Sequence, residues 1–206
     1  MVIEKDIKTR ILEAAGSEKL VRFAASEHEY LDLAYDVPFK IEYHKSEIIV
    51  MSLASYIHER IASNLIFFLR SLFQDEDNID IMGGGLGVKT DNFEGSYFLP
   101  DVSLVKGKPD FEKNSTAIIK NPSVVFEVLS PSTKSYDLSE KLEEYKTFES
   151  IDQVIFVYQD KMKVTTYRRS YEPVGWLNQD FTKAGDTVEI EEKSLCLRDI
   201  YEKVNF

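Results

Sequence analysis

The chain has 206 residues, 43% of them hydrophobic and 12% aromatic, with a formal net charge of −11. That length and apolar content fit one folded domain with a substantial core, and they exclude a disordered chain. The charge excludes a tight, non-specific polyanion binder, whose affinity rests on basic groups meeting phosphates, and the longest apolar run, Leu65-Ile66-Phe67-Phe68-Leu69, is far too short to cross a membrane.

Residues 3–15 have helical spacing without a strong cap and are expected to belong to a helical arm over residues 1–25, with residues 26–206 forming the main domain. The first ten residues alternate charges and lack the apolar stretch of a signal peptide. Ser26 and Glu29 have capping-box spacing and open a short helix through Leu31 and Ala34 that stops before Pro38. Residues 39–43 and 47–51 read as strands joined by His44-Lys45-Ser46. A long helix is predicted over 55–73, because Ile57, Ile61, Leu65, Phe68 and Leu72 recur as one apolar stripe with His58 on its flank. Gly83-Gly84-Gly85-Leu86-Gly87 lacks the Gly-Lys-Ser/Thr ending of a phosphate loop and reads as a bend between strands.

Strands follow at about 86–90, 97–105 and 123–129, then a helix over 138–148 with Asp137 and Glu140 in capping-box spacing. A hairpin pairs 153–159 with 163–169, and the tail holds Trp176, a strand at 187–190 and an apolar patch at 195–201. This order of helices and strands implies an α+β or mixed α/β fold, a sheet with helices packed on it.

Cys196 stands alone, which excludes an intrachain disulfide and a cysteine-zinc cluster and predicts a cytoplasmic, reducing setting. Charge is unevenly spread. Residues 101–170 carry 11 basic and 11 acidic groups, whereas both flanks are acidic. The balanced region ends in the basic set Lys161, Lys163, Arg168 and Arg169.

Two segments carry the chemistry. Leu99-Pro100-Asp101-Val102-Ser103 and Phe126-Glu127-Val128-Leu129-Ser130 each set a carboxylate in an apolar, β-branched run, where an unpaired charge is costly to bury. If the two strands are neighbours, Asp101 and Glu127 converge on one ion, and the backbone carbonyl of Val128 offers a further hard oxygen. That donor set suits Mg²⁺, which takes one or two carboxylates plus water and substrate oxygens. Lys141 lies beside the apolar stripe Leu138, Leu142 and Tyr145 of the following helix, where its ammonium can offset charge developing on a phosphate. His58 is a candidate phosphate contact or proton carrier. Glu42 is expected to support the site from its edge, and Tyr145 to pack in the core with its hydroxyl near the site. Together these residues suggest Mg²⁺-dependent phosphodiester hydrolysis, with Mn²⁺ able to substitute.

The segments Glu47-Ile48-Ile49-Val50-Met51-Ser52, His58, Leu99-Pro100-Asp101-Val102-Ser103, Val125 to Thr133 and Asp137-Leu138 through Lys141 to Tyr145 form a pattern covering most of the chain from about residue 26. It resembles the PD-(D/E)XK nuclease superfamily and, more narrowly, the Uma-type restriction-endonuclease family. The resemblance implies a restriction-endonuclease-like αβββαβ core with a central mixed sheet, divalent-metal dependence, a DNA substrate and a homodimer. Leu129 stands where the superfamily motif has its lysine; in this family the lysine moves to the following helix, which matches Lys141. Ser46 replaces a glycine usual in the early hairpin.

Two other readings use the same residues. A binding or scaffold protein that has kept the fold without catalysis fits the acidic surface and the displaced lysine. A glycosidase could use the paired carboxylates, but no sugar-stacking aromatic platform accompanies them.

Overall fold

The computed structural model describes residues 6–14, 19–90 and 95–206, so positions 3–5 and 15 of the predicted first helix lie outside the described residues. Helix α1 (Ile7–Ala14) precedes strand β1 (Val21–Ala24), which sequence reasoning did not anticipate. Helix α2 (Glu27–Ala34) starts as its capping box requires: the Glu29 N–H donates to Ser26 Oγ, and the Ser26 N–H donates to the Glu29 carboxylate. Strands β2 (Ile41–His44) and β3 (Glu47–Val50) form a hairpin. Its turn is tighter than predicted, because His44 pairs with Glu47 and only Lys45 and Ser46 turn, at φ 50° and 60°. Helix α3 (Tyr56–Leu72) is capped by Ser55, whose Oγ accepts from the His58 N–H at 3.1 Å, and it buries Ile61, Leu65 and Leu69.

Strand β4 (Ile79–Gly83) and strand β5 (Gly87–Lys89) flank the glycine-rich turn, which is a bend between strands as expected. The single strand predicted over 97–105 is two: β6 (Tyr97–Phe98) and β7 (Val102–Lys106), which belong to different sheets. Pro100 has no N–H to donate to a ladder, and the chain crosses between the sheets around it. Strands β8 (Ile118–Ile119) and β9 (Val124–Leu129) follow. Three helical pieces then run on without a break: α4 (Lys134–Tyr136), a π-helical turn over Asp137–Lys141, and α5 (Leu142–Tyr145). This corrects the 138–148 helix, whose start lies earlier. Asp137 is not a cap but sits inside the helix, almost fully buried. Strands β10 (Gln153–Tyr158), β11 (Val164–Tyr171) and β12 (Val174–Phe181) form an antiparallel meander. Strands β13 (Thr187–Ile190) and β14 (Lys193–Cys196) and helix α6 (Leu197–Ile200) close the chain.

Two six-stranded sheets organise the molecule. The first has the order β1-β3-β2-β6-β5-β8; the second has β12-β11-β10-β9-β7-β4 and is mixed, with β9 and β10 parallel. Helix α3, strands β4, β7 and β9, the helical run over 134–145 and strand β10 make up the αβββαβ core with its central mixed sheet. Strand alternation sets the layers. Val124, Phe126 and Val128 of β9 pack with α3, while Val125 and Leu129 face the first sheet and pack with Ile49, Phe98, Leu142 and Tyr145. On the far side of the first sheet, Ile41 and Tyr43 pack with Ile11, Tyr30 and Leu33. Glu42 and Glu127 therefore point into the same space between the sheets. Among the described residues no helix is long and apolar enough to cross a membrane.

Candidate active site

Asp101 sits where the chain enters β7. The β7–β9 ladder pairs Leu104 with Val124, Ser103 with Val125 and Val102 with Phe126. Beyond that last pair, Asp101 takes over with its side chain: its Oδ2 accepts from the Val128 N–H at 2.8 Å. The same oxygen faces His58 Nε2 at 3.2 Å, presented by the first turn of α3. Oδ1 faces Lys40 Nζ at 3.4 Å, from the residue just before β2.

Glu127 occupies the inward face of β9, buried between the sheets. Its Oε1 lies 2.8 Å from Lys141 Nζ and accepts from the Tyr145 hydroxyl at 2.6 Å. Lys141 is fully buried; its Nζ also lies 2.7 Å from Glu42 Oε1 and 4.0 Å from Asp137 Oδ1. Glu42 is tied further by the Leu99 N–H at 2.7 Å and the Tyr136 hydroxyl at 3.2 Å. A cavity of about 250 Å³ is lined by Lys40, His58, Asp101, Glu127, Val128, Asp137 and Lys141, among others.

The electrostatics follow from burial. Burial alone would raise the Asp101 carboxyl, but the His58 hydrogen bond and charge, with Lys40 and the Val128 N–H, outweigh it and lower its pKa to about 2. Burial likewise works against the His58 imidazolium, yet Asp101 overcomes this and raises it. For Glu127 burial wins over the nearby Lys141 charge, and the carboxyl is pushed up. Burial also raises Asp137, to about 7, against the pull of Lys141 and the Thr133 side chain. Lys141 is raised: burial opposes its charge, and Glu127, Glu42 and Asp137 together more than compensate. Three carboxylates around one ammonium are an excess of negative charge in a buried space. A proton on an acid relieves it, and so does a cation.

Whether these residues fit a divalent ion turns on donor chemistry. Among the described residues, no group of three or more His, Cys, Asp and Glu side chains is disposed to hold a metal. Asp101, Glu127 and the Val128 backbone do line one cavity, and two carboxylates with a carbonyl and water suit a hard ion such as Mg²⁺. The hydrogen bond and ion pair that engage Glu127 both fall on Oε1. The residues fit.

Of the residues singled out from sequence, Asp101, Glu127, Val128, Lys141 and His58 come together at this cavity. Glu42 and Tyr145 meet behind it, on Lys141 and Glu127 respectively. The basic set at 161–169 does not line the cavity. Lys163 pairs with Asp180 at 2.8 Å, Arg168 donates to the Glu189 carbonyl, and Arg169 donates to the carbonyls of Ile151 and Phe148. Ser130 and Thr133 tie the turn after β9, with Oγ–Oγ1 at 2.9 Å, and Ser132 reaches Ser52 at 2.9 Å. Two site residues were missed. Asp137 was readable from its i, i+4 spacing to Lys141; Lys40 had no sequence signal, because only the sheet-to-sheet packing brings it to Asp101.

The family model described as "Uma2: Putative restriction endonuclease" matches residues 28–194. Two proteins from Synechocystis are similar to the chain. Uncharacterized protein sll1609 is 30% identical over 163 residues, spanning 79% of this chain and 89% of that protein. Uncharacterized protein slr1290 is 29% identical over 171 residues, spanning 82% and 86%. A crystal structure described as a "putative nuclease belonging to DUF820" from Anabaena variabilis superposes with a TM-score of 0.66 at 18% identity, covering 83% of this chain and 96% of that one. The likeness shows that the two share a fold.

Proposed function

The chain belongs to the Uma2 restriction-endonuclease family, and from that membership together with its buried acid pair we propose that it is a metal-dependent endonuclease hydrolysing DNA phosphodiester bonds. One observation carries the reading: Asp101, at the entry to β7, and Glu127, on the adjacent strand β9, line one cavity, with Lys141 on the second acid. Mg²⁺ is the proposed cofactor, with Mn²⁺ as a substitute; when bound it orients the phosphate and lowers the pKa of attached water.

The chain's own groups divide the remaining work. Asp101 and Glu127 would hold the ion, with the Val128 carbonyl beside them. His58 fixes Asp101 through Oδ2 and keeps that acid ionised over the neutral range. Lys141 stays charged among its acids and supplies positive charge close to the reacting phosphate. Glu42 and Tyr145 hold Lys141 and Glu127 in place. A homodimer is the proposed working unit, since a chain of charge −11 presents little basic surface for gripping a duplex alone. The cytoplasm is the proposed setting.

A second reading, a binding or scaffold protein without catalysis, draws on Leu129, which stands where the superfamily motif has its lysine. Incubation of pure protein with supercoiled plasmid and Mg²⁺ or Mn²⁺ separates the two. The nuclease reading expects nicked or linear plasmid from the wild type and none from Asp101→Ala or Glu127→Ala. Cleavage that persists in both variants contradicts the site, and no cleavage by a folded wild type favours the second reading.

A further inference from the structure

The two oxygens of Asp101 are not equivalent. Oδ2 is committed to the protein, accepting from the Val128 N–H at 2.8 Å and facing His58 Nε2 at 3.2 Å. Oδ1 meets, among the described residues, only Lys40 Nζ at 3.4 Å. Lys40 also differs from Lys141: its side chain is 43% exposed against 2%. It lies at the mouth of the cavity on a flexible stem.

The space for its head group is left by Gly84. A Cβ on Gly84 would collide with Lys40 Nζ and come within 3.3 Å of its Cε, whereas the nearest backbone atom, the Pro100 oxygen, would be at 3.4 Å. The obstacle is therefore the mobile end of a long side chain, and alanine is accommodated at position 84 by moving Lys40.

Resting on the metal-dependent reading above, we propose that Lys40 competes with the divalent cation for Asp101 Oδ1 and passes to a substrate phosphate when both are bound. An ammonium and a divalent ion repel each other strongly at one carboxylate oxygen. A phosphodiester resolves the conflict, because its anionic oxygens offer Lys40 a new partner within reach of the same cavity. Cation and DNA then bind with positive coupling, each favouring the state in which Lys40 has left Asp101.

Calorimetry with Mn²⁺ alone tests the competition without any turnover. Lys40→Met should bind Mn²⁺ about three- to tenfold more tightly than the wild type, since it removes the competitor. Gly84→Ala should also bind Mn²⁺ more tightly, because it moves Lys40 off Oδ1 with its charge intact. Binding of a duplex oligonucleotide in Ca²⁺, followed by fluorescence anisotropy, should weaken in Lys40→Met and change less in Gly84→Ala. Unchanged or weaker Mn²⁺ binding in both variants, with binding intact in the wild type, overturns the role of Lys40 and leaves the metal site standing. No Mn²⁺ binding by the wild type or either variant overturns both.

Discussion

Lys141 Nζ stands 2.8 Å from Glu127 Oε1, an ion pair between a helix and the central strand of the mixed sheet, buried on both sides. Glu42 closes the arrangement from the first sheet at 2.7 Å. One ammonium thus joins both sheets and the helical run, and it is as much a structural bolt as a source of positive charge at the cavity. Removing it leaves three buried acids, Glu42, Glu127 and Asp137, without their cation. Lys141→Met should lose about 3–5 kcal/mol of stability, the usual cost of breaking a buried pair, together with cleavage. Adding Glu42→Gln should recover part of the stability but not the cleavage. Urea melts and plasmid assays on the three proteins check this; a Lys141→Met variant as stable as the wild type contradicts it.

On the proposed reading, His58 acts through Asp101 rather than on the substrate. Its Nε2 is 3.2 Å from Oδ2, the oxygen also tied to Val128. His58→Ala should weaken Mn²⁺ binding by about 10- to 100-fold, as loss of a partner behind a metal ligand does. His58→Gln should retain more affinity through its remaining hydrogen bond. Calorimetry on the pair distinguishes this from a proton-carrier role, which would leave metal affinity unmoved.

Asp137 gives the protein a signed pH dependence. Its carboxyl is raised by burial from an ordinary 3.8 to about 7 in the folded chain. The folded state therefore holds that proton where the unfolded state has released it, and stability falls as pH climbs from about 4 through about 7. Asp137→Asn removes this contribution, leaving that of the raised Glu127 carboxyl in place. Relative to the wild type, the variant should gain at least about 1 kcal/mol between pH 4.5 and pH 8. Urea melts at the two pH values measure the difference; an equal offset at both contradicts it.

The hairpin turn carries conformational cost that glycine relieves. Lys45 and Ser46 both lie in the left-handed region, at φ 50° and 60°, as a two-residue hairpin turn demands. Ser46→Gly should stabilise the protein by about 0.5–1 kcal/mol without altering cleavage, since Ser46 does not line the cavity. Thermal denaturation of the variant checks the sign.

Local signals made some of this legible and left the rest obscure. Ser26 with Glu29, and the stripe Ile61 and Leu65 below Ser55, place α2 and α3 because caps and helical periodicity act within a few residues. The β10–β11 hairpin and the buried strand around Glu127 were readable for the same reason. Strands β1, β4 and β12 were not. Val21–Ala24 and Ile79–Gly83 are short and interrupted by charge or glycine, and they become strands only because a neighbouring edge pairs with them. The split of 97–105 into β6 and β7 was signalled by Pro100, but a proline does not announce that its two sides join different sheets. At the cavity, Asp101, Glu127 and Lys141 stood out as charges in apolar surroundings. Lys40 reaches Asp101 across tertiary packing, a distance that no spacing along the chain encodes.

The proposed sharing of a cation by Asp101 and Glu127 is tested most directly by anomalous diffraction from crystals soaked in Mn²⁺. Wild-type crystals should show a peak in the cavity within coordination distance of one carboxylate oxygen from Asp101 and one from Glu127, and Asp101→Asn crystals should lose it. A peak that engages only one of these acids, or density elsewhere with none between them, would contradict a common metal site.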